Sequence, residues 1–323
     1  MENIASELKR KIIEESYVIS KKEALELYEY ENLQELLDCA DEIRKKCAGS
    51  KSDVCSIINA KQGACSENCS YCAQSAHWKT GCAAGKMIDP EWACDQAKKC
   101  VENKVKRLSL VTAGRGLGGK DFETGIECFR KMEEATSGKV KFCASFGIIG
   151  KDKMDELKKC GVVRYHHNLE SGRNFYSKIC TTHSYDERLE TIKAAKEAGL
   201  EICSGGIIGL GESRGDRIDM AVELRNLGVH SVPINVLNPI KGTPLESMKI
   251  LDKEEILRTI AVFRFIMPDQ VIRCAAGRKS LGKNGRDAFM AGSNALISGD
   301  FLTVEGSTNE EDLRMLAELG YEF

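Results

Sequence analysis

The chain has 323 residues, 42% hydrophobic and 30% charged, enough to enclose a large core in a single barrel-sized domain. A formal net charge of −2 gives no electrostatic footing for nucleic acid, and no apolar run approaches membrane-spanning length. Fifteen cysteines, an odd number, behind an N-terminus without an apolar signal segment predict a reducing cytoplasmic setting and metal chemistry rather than a disulfide framework.

Residues 1–50 read as a helical extension. Ser20 and Glu23 have the spacing of a capping box, an apolar stripe covers 25–28, and apolar residues recur at helical spacing over 33–43 before Gly49. Strand-like runs then follow at 54–59, 105–112, 140–146, 162–168, 201–208, 230–237, 271–275 and 294–298. Helical patterns such as 90–102, 185–198, 216–227 and 253–266 lie between them, and a last one falls near 310–319. Strands alternating with helices predict parallel pairing through right-handed crossovers, and eight such units close a barrel. The expected fold class is α/β: a (β/α)8 TIM-type barrel over 51–302, with the helical extension before it and a helical tail over 303–323. An open doubly wound sheet has the same alternation and stays possible at this level.

Just after the first strand runs Gly63-Ala64-Cys65-Ser66-Glu67-Asn68-Cys69-Ser70-Tyr71-Cys72, a C-x3-C-x2-C spacing. Three thiolates on one loop can hold three irons of a cubane and leave the fourth open to a small molecule. Structural zinc usually draws four ligands from paired C-x2-C arms, and no second arm follows. The second motif is Cys203-Ser204-Gly205-Gly206-Ile207-Ile208-Gly209-Leu210-Gly211-Glu212, a glycine-rich strand exit where backbone can approach a ligand. Several strand centres are polar: Cys55, then Arg107 and Ser109 on one face, then Cys143, Cys203, Asn235 and Arg273. In a barrel such residues converge on the lumen, where a buried arginine requires a partner.

The cysteine spacing and the G-x-I-x-G-x-x-E run resemble the radical S-adenosylmethionine (SAM) enzymes. Taken with 165–170, 181–189, 231–237, 241–245, 258–267, 273–278 and 290–294, the chain from about 54 to 302 resembles the biotin synthase family. That resemblance implies reductive SAM cleavage to a 5′-deoxyadenosyl radical, hydrogen abstraction from dethiobiotin, and sulfur supplied by an auxiliary iron–sulfur cluster deep in the barrel. It implies Cys65, Cys69 and Cys72 as ligands of a [4Fe-4S] cluster. It further implies Tyr71, Asn168, Glu170, Arg188 and the strand exit (Gly205, Ile207, Gly209, Glu212) around SAM, with Asn168 and Asn235 on dethiobiotin. Cys143, Cys203 and Arg273 match auxiliary-cluster ligands of the family. An electron donor such as flavodoxin or ferredoxin and a homodimer are also implied. A hydrogenase-maturase-like radical SAM enzyme and a non-catalytic iron–sulfur scaffold are the alternative readings.

The chain departs from the family pattern at several places. Ser109 stands where the family has a cysteine on the second strand, and Cys55 stands where it has serine, so three lumen thiols are kept with one moved. This implies Cys55, Cys143 and Cys203 as the auxiliary ligands. They would hold either a four-iron cluster with an extra sulfide beside Arg273 or a [2Fe-2S] cluster with Arg273 as fourth ligand. Alternation turns Cys274 away from the Arg273 face, which leaves it a reserve candidate for the auxiliary cluster. His166 replaces asparagine and Glu170 replaces aspartate. Cys82, Cys94, Cys100, Cys128, Cys160 and Cys180 match no ligand spacing and read as packing or surface thiols. His77 and His183 have no partner that sequence can locate.

Overall fold

A computed structural model describes residues 3–299 and 307–323. Three helices open the chain, Ile4–Glu15, Lys21–Tyr28 and Leu33–Ile43, each begun by a side-chain cap. The Ser20–Glu23 capping box is formed in both directions. Their apolar faces, with Leu8, Ile12, Leu27 and Leu36 buried, pack on one another and on helix Lys253–Ile266.

The strands among the described residues are β1 (Asp53–Lys61), β2 (Arg107–Thr112), β3 (Lys141–Ser145), β4 (Val162–His166), β5 (Glu201–Cys203), β6 (Gly206–Ile208), β7 (Ser231–Val236), β8 (Val271–Cys274) and β9 (Ala295–Ile297). Every pairing between them is parallel, in the order β5-β4-β3-β2-β1-β9-β8-β7-β6, and Cys203 also pairs with Ser231 of β7. That last pairing closes the sheet. The open-sheet alternative is thereby excluded, and β5 with β6 forms the two halves of one barrel stave. Helices such as Pro90–Glu102, Tyr185–Glu197 and Arg214–Asn226 return the chain between strands, as right-handed crossovers require.

The run 201–208 is expected as one strand but is broken at Ser204 and Gly205. A Cβ on Gly205 would lie 2.0 Å from the Pro233 carbonyl oxygen, so β7 presses directly against backbone here and only glycine fits. The Gly205 N–H leaves the ladder and donates to Asn168 Oδ1 at 3.0 Å. At the other end of the chain, helix Asn309–Glu318 starts at a Thr308–Glu311 capping box. It buries Met315 and Leu316 against Val54, Phe289 and Leu296. A buried Arg278–Asp312 pair at 2.8 Å ties it to the segment after β8. The expected start of the tail, at 303, lies outside the described residues.

Candidate active site

Alternate residues of the strands project into a lumen that continues to the strand C-terminal ends as one cavity of about 620 Å³. Its deep part is a charge cluster. Asp53 accepts from Arg107 Nε at 3.0 Å and Arg164 Nη1 at 2.9 Å, and lies 3.1 Å from Arg273 Nη2. Burial by itself favours the neutral Asp53 carboxyl, but Arg273, Arg107 and Arg164 outweigh it and hold the group far below the usual carboxylate range. Arg164 also pairs with Glu201 at 2.8 Å. Three guanidiniums against two carboxylates leave this region cationic.

Cys55, Ser109, Cys143, His166 and Cys203 all line the cavity beside these arginines. Arg107 Nη1 is 3.6 Å from Cys143 Sγ. Burial pushes the Cys55 and Cys143 thiols up. Burial acts the same way on Cys203, but His166, Arg273 and Arg164 overcome it and bring that thiol down to about 6. Two buried polar atoms in this layer lack a hydrogen-bond partner among the described residues, Ser109 Oγ and Arg273 Nη2, the latter misaligned with Asp53 despite its proximity. Thiols, unspent donors and surplus positive charge suit a soft, anionic guest such as an iron–sulfur cluster. Cys274 is buried away from this cavity, as strand alternation predicts, and burial pushes its thiol up to about 11.

The cysteine loop covers the strand ends. Cys65 N–H donates to the Gln74 carbonyl at 3.0 Å, Ala76 N–H to Cys65 at 2.8 Å, and Ser70 N–H to Ile179 at 2.8 Å. Trp78 Nε1 donates to the Cys69 carbonyl at 2.9 Å. The loop turns at Gly63, φ 68°, where a Cβ would meet the Ala83 carbonyl at 2.6 Å. Cys65, Cys69 and Cys72 all face the cavity. The Cys69 thiol is pushed up by its hydrogen bond to Cys180 and by burial, and burial pushes Cys72 up to about 11, so loading a metal must displace protons.

Between loop and thiol layer lie the two asparagines, one on each side of the break in the barrel stave. Asn235 Nδ2 donates to the Gly206 carbonyl at 3.1 Å and its Oδ1 accepts from Ala276 N–H at 3.1 Å. Asn168 Nδ2 is 3.3 Å from Glu170 Oε2. Glu170 has a left-handed backbone, φ 68°, which a non-glycine residue adopts only under constraint. Its N–H donates to Gly205 and its carbonyl accepts from Ile207 N–H at 2.9 Å. Arg188 is buried. It donates to the Tyr176 hydroxyl at 2.5 Å and the Asn168 carbonyl at 2.8 Å, and lies 3.8 Å from Glu170. Tyr71 and Ile207 complete this wall.

Gly205, Gly209 and Glu212 are not on the cavity lining. Glu212 accepts from Gly209 N–H at 2.8 Å, Leu210 N–H at 2.6 Å and Arg217 Nε at 2.6 Å, so its carboxylate holds the shape of the strand exit. Sequence reading missed Asp53, Arg164 and Glu67. Arg164, a charge at the centre of a β-rich run, carried the same signal as Arg107. Asp53 and Glu67 carried none, because their partners come from distant strands and loops.

Residues 60–224 match the model of the Radical SAM superfamily, and 233–322 match that of the Biotin and Thiamin Synthesis associated domain. A biotin synthase of Fusobacterium nucleatum is 49% identical, covering 98% of this chain and 90% of its own. One of Clostridium perfringens is 51% identical over 94% of both chains. Among solved structures, methylornithine synthase (PylB) superposes with a TM-score of 0.81 at 20% identity, covering 98% of this chain and 96% of its own. HydG, a maturase of the [FeFe]-hydrogenase, gives 0.84 at 19%, covering 98% and 74%. These last two similarities speak to the fold alone.

Proposed function

The chain belongs to the biotin synthase family of radical SAM enzymes, and from that premise we propose how its own residues divide the work of converting dethiobiotin to biotin. The enzyme uses a [4Fe-4S] cluster and SAM. When bound, that pair supplies a 5′-deoxyadenosyl radical, which removes hydrogen from the substrate. Cys65, Cys69 and Cys72 hold the cluster. Tyr71, Glu170, Arg188 and Ile207 line the SAM side, while Gly205, Gly209 and Glu212 support it from behind by fixing the strand exit. Asn168 and Asn235 each have amide N–H capacity left after the bonds described, and they hold the ureido ring of dethiobiotin. A cavity walled on one side by the cysteine loop and on the other by thiols and arginines keeps water from the radical and the sulfur source on opposite faces of the substrate.

Cys55, Cys143 and Cys203 are the proposed auxiliary-cluster ligands, with Arg273 beside the cluster as a cationic partner. The observation that carries this is the convergence of three thiols, an unpartnered Ser109 hydroxyl and three arginines on one lumen layer. A four-iron cluster with an extra sulfide accords with three thiolates. A [2Fe-2S] cluster with Arg273 as ligand is the second form, favoured by the unspent Arg273 Nη2. An acidic low-potential electron carrier (flavodoxin or ferredoxin), a homodimer and a cytoplasmic setting belong to the same proposal, as does a division into 1–50, 51–302 and 303–323. No helix among the described residues is long and apolar enough to cross a membrane. The hydrogenase-maturase and scaffold readings are not favoured, since relatives near half identity over almost the whole chain are biotin synthases. The test is anaerobic turnover of dethiobiotin by the reduced, reconstituted protein, following biotin and 5′-deoxyadenosine together. Deoxyadenosine without biotin contradicts the substrate; neither product contradicts the radical chemistry.

A further inference from the structure

One buried group adjoining the cysteine loop has no part in the chemistry so far. Glu67, midway between Cys65 and Cys69, is 6% exposed. Its carboxylate accepts from Ser66 Oγ at 3.0 Å, Thr182 Oγ1 at 2.8 Å and His183 Nδ1, with Arg115 Nη1 farther off at 3.4 Å. On its opposite edge the His183 ring meets Arg188, Nη2 to Nε2, at 2.9 Å. A guanidinium can only donate, so Nε2 must accept. With Nε2 accepting, the ring N–H is the one on Nδ1, facing Glu67. Arg188 also donates to the Tyr176 hydroxyl and the Asn168 carbonyl, its Nη1 lies 3.8 Å from Glu170, and the residue lines the cavity.

The position demands a donor on one edge and an acceptor on the other. Lysine or arginine would place donor against donor at Arg188, and a carboxylate would face Glu67 acceptor to acceptor. Imidazole satisfies both in a rigid ring. We propose that His183 is a positioning residue for SAM: through Glu67 it fixes the cysteine loop and through Nε2 it fixes Arg188, so that cluster and guanidinium meet SAM in one register. This rests on the reading that Cys65, Cys69 and Cys72 carry the cluster and that Arg188 faces SAM.

The test uses full-length protein reconstituted anaerobically, with SAM as the probe. Iron per chain, the SAM-dependent change in the reduced-cluster EPR signal, SAM affinity by calorimetry, and KM for SAM and for dethiobiotin are measured for wild type, His183→Phe and His183→Gln. Phenylalanine fills the space without either hydrogen bond, whereas glutamine restores one donor and one acceptor. His183→Phe is expected to weaken SAM about tenfold, equivalent to ~1.4 kcal/mol, and to leave KM for dethiobiotin within about twofold. His183→Gln should recover most of the SAM affinity. If His183→Phe does not fold, Glu67→Gln, which keeps the shape and loses the charge that orients the ring, is expected to weaken SAM by about threefold to tenfold. Unchanged SAM affinity in these variants, or a glutamine variant no better than phenylalanine, overturns the proposal. Absence of any SAM-dependent EPR change in wild type overturns the underlying cluster reading instead.

Discussion

Replacing Asp53 by asparagine removes the one carboxylate that contacts all three lumen arginines, at 3.0, 2.9 and 3.1 Å. The side chain is 20% exposed, so water does little to screen the loss. Removing one partner of a buried ion pair costs about 3–5 kcal/mol, because the charge left behind has no counter-ion. With an unfolding entropy of about 2.1 cal/mol/K per residue, the 323 residues give ~0.7 kcal/mol/K, so the melting midpoint should fall by about 4–7 °C. Calorimetry or circular dichroism of the metal-free protein measures this. The pH dependence has a definite sign. The Asp53 pKa is depressed in the folded protein, so its contribution is fully present above its unfolded value near ~3.9 and is lost only as pH falls through the folded value. The gap between wild type and Asp53→Asn should therefore be constant at neutral pH and close only in strong acid. A midpoint within about 1 °C of wild type at pH 7, instead of the ~4–7 °C fall expected, would refute the charge-cluster account.

Other substitutions probe the layers above. Asn235→Ala leaves the Gly206 carbonyl and the Ala276 N–H without their partners and takes away a ureido contact, so KM for dethiobiotin should rise about tenfold in steady-state assays. Gly205→Ala drives a Cβ into the Pro233 carbonyl and should cost about 3 kcal/mol or more in denaturant unfolding, with no loss of any side-chain contact. Cys55→Ala should lower the iron bound in the lumen while the loop cluster persists, read by Mössbauer spectroscopy and iron analysis. Full auxiliary loading in that variant moves the ligand to Ser109 or Arg273.

Much of the fold was legible because the chemistry was local. The period-two runs at 54–59 and 271–275 lie within two residues of β1 and β8, and the Ser20–Glu23 cap formed as read. The cysteine loop was legible because three soft ligands within eight residues have few other uses. The break at Ser204 and Gly205 was not, since it comes from the Pro233 carbonyl of a neighbouring strand. Nor was the partner of His183, since Glu67 reaches it only once the loop has folded over the strand ends. Asp53 carries no signal in the sequence, because Arg107, Arg164 and Arg273 come around it only when the barrel closes. Glu212 shows the converse: its motif points toward SAM, whereas its carboxylate accepts from the Gly209 and Leu210 N–H groups of the turn and lies off the cavity lining.

The central claim is that sulfur reaches dethiobiotin from a cluster held by the lumen thiols, and a single-turnover isotope experiment addresses it directly. The protein is reconstituted with ³⁴S-sulfide, freed of excess sulfide, and reduced with SAM and dethiobiotin present; the biotin formed is analysed by mass spectrometry, alongside Cys203→Ala. The account predicts ³⁴S in the biotin of wild type, and in Cys203→Ala continued 5′-deoxyadenosine formation without biotin. Unlabelled biotin from wild type, or labelled biotin from Cys203→Ala at the wild-type yield, would contradict it.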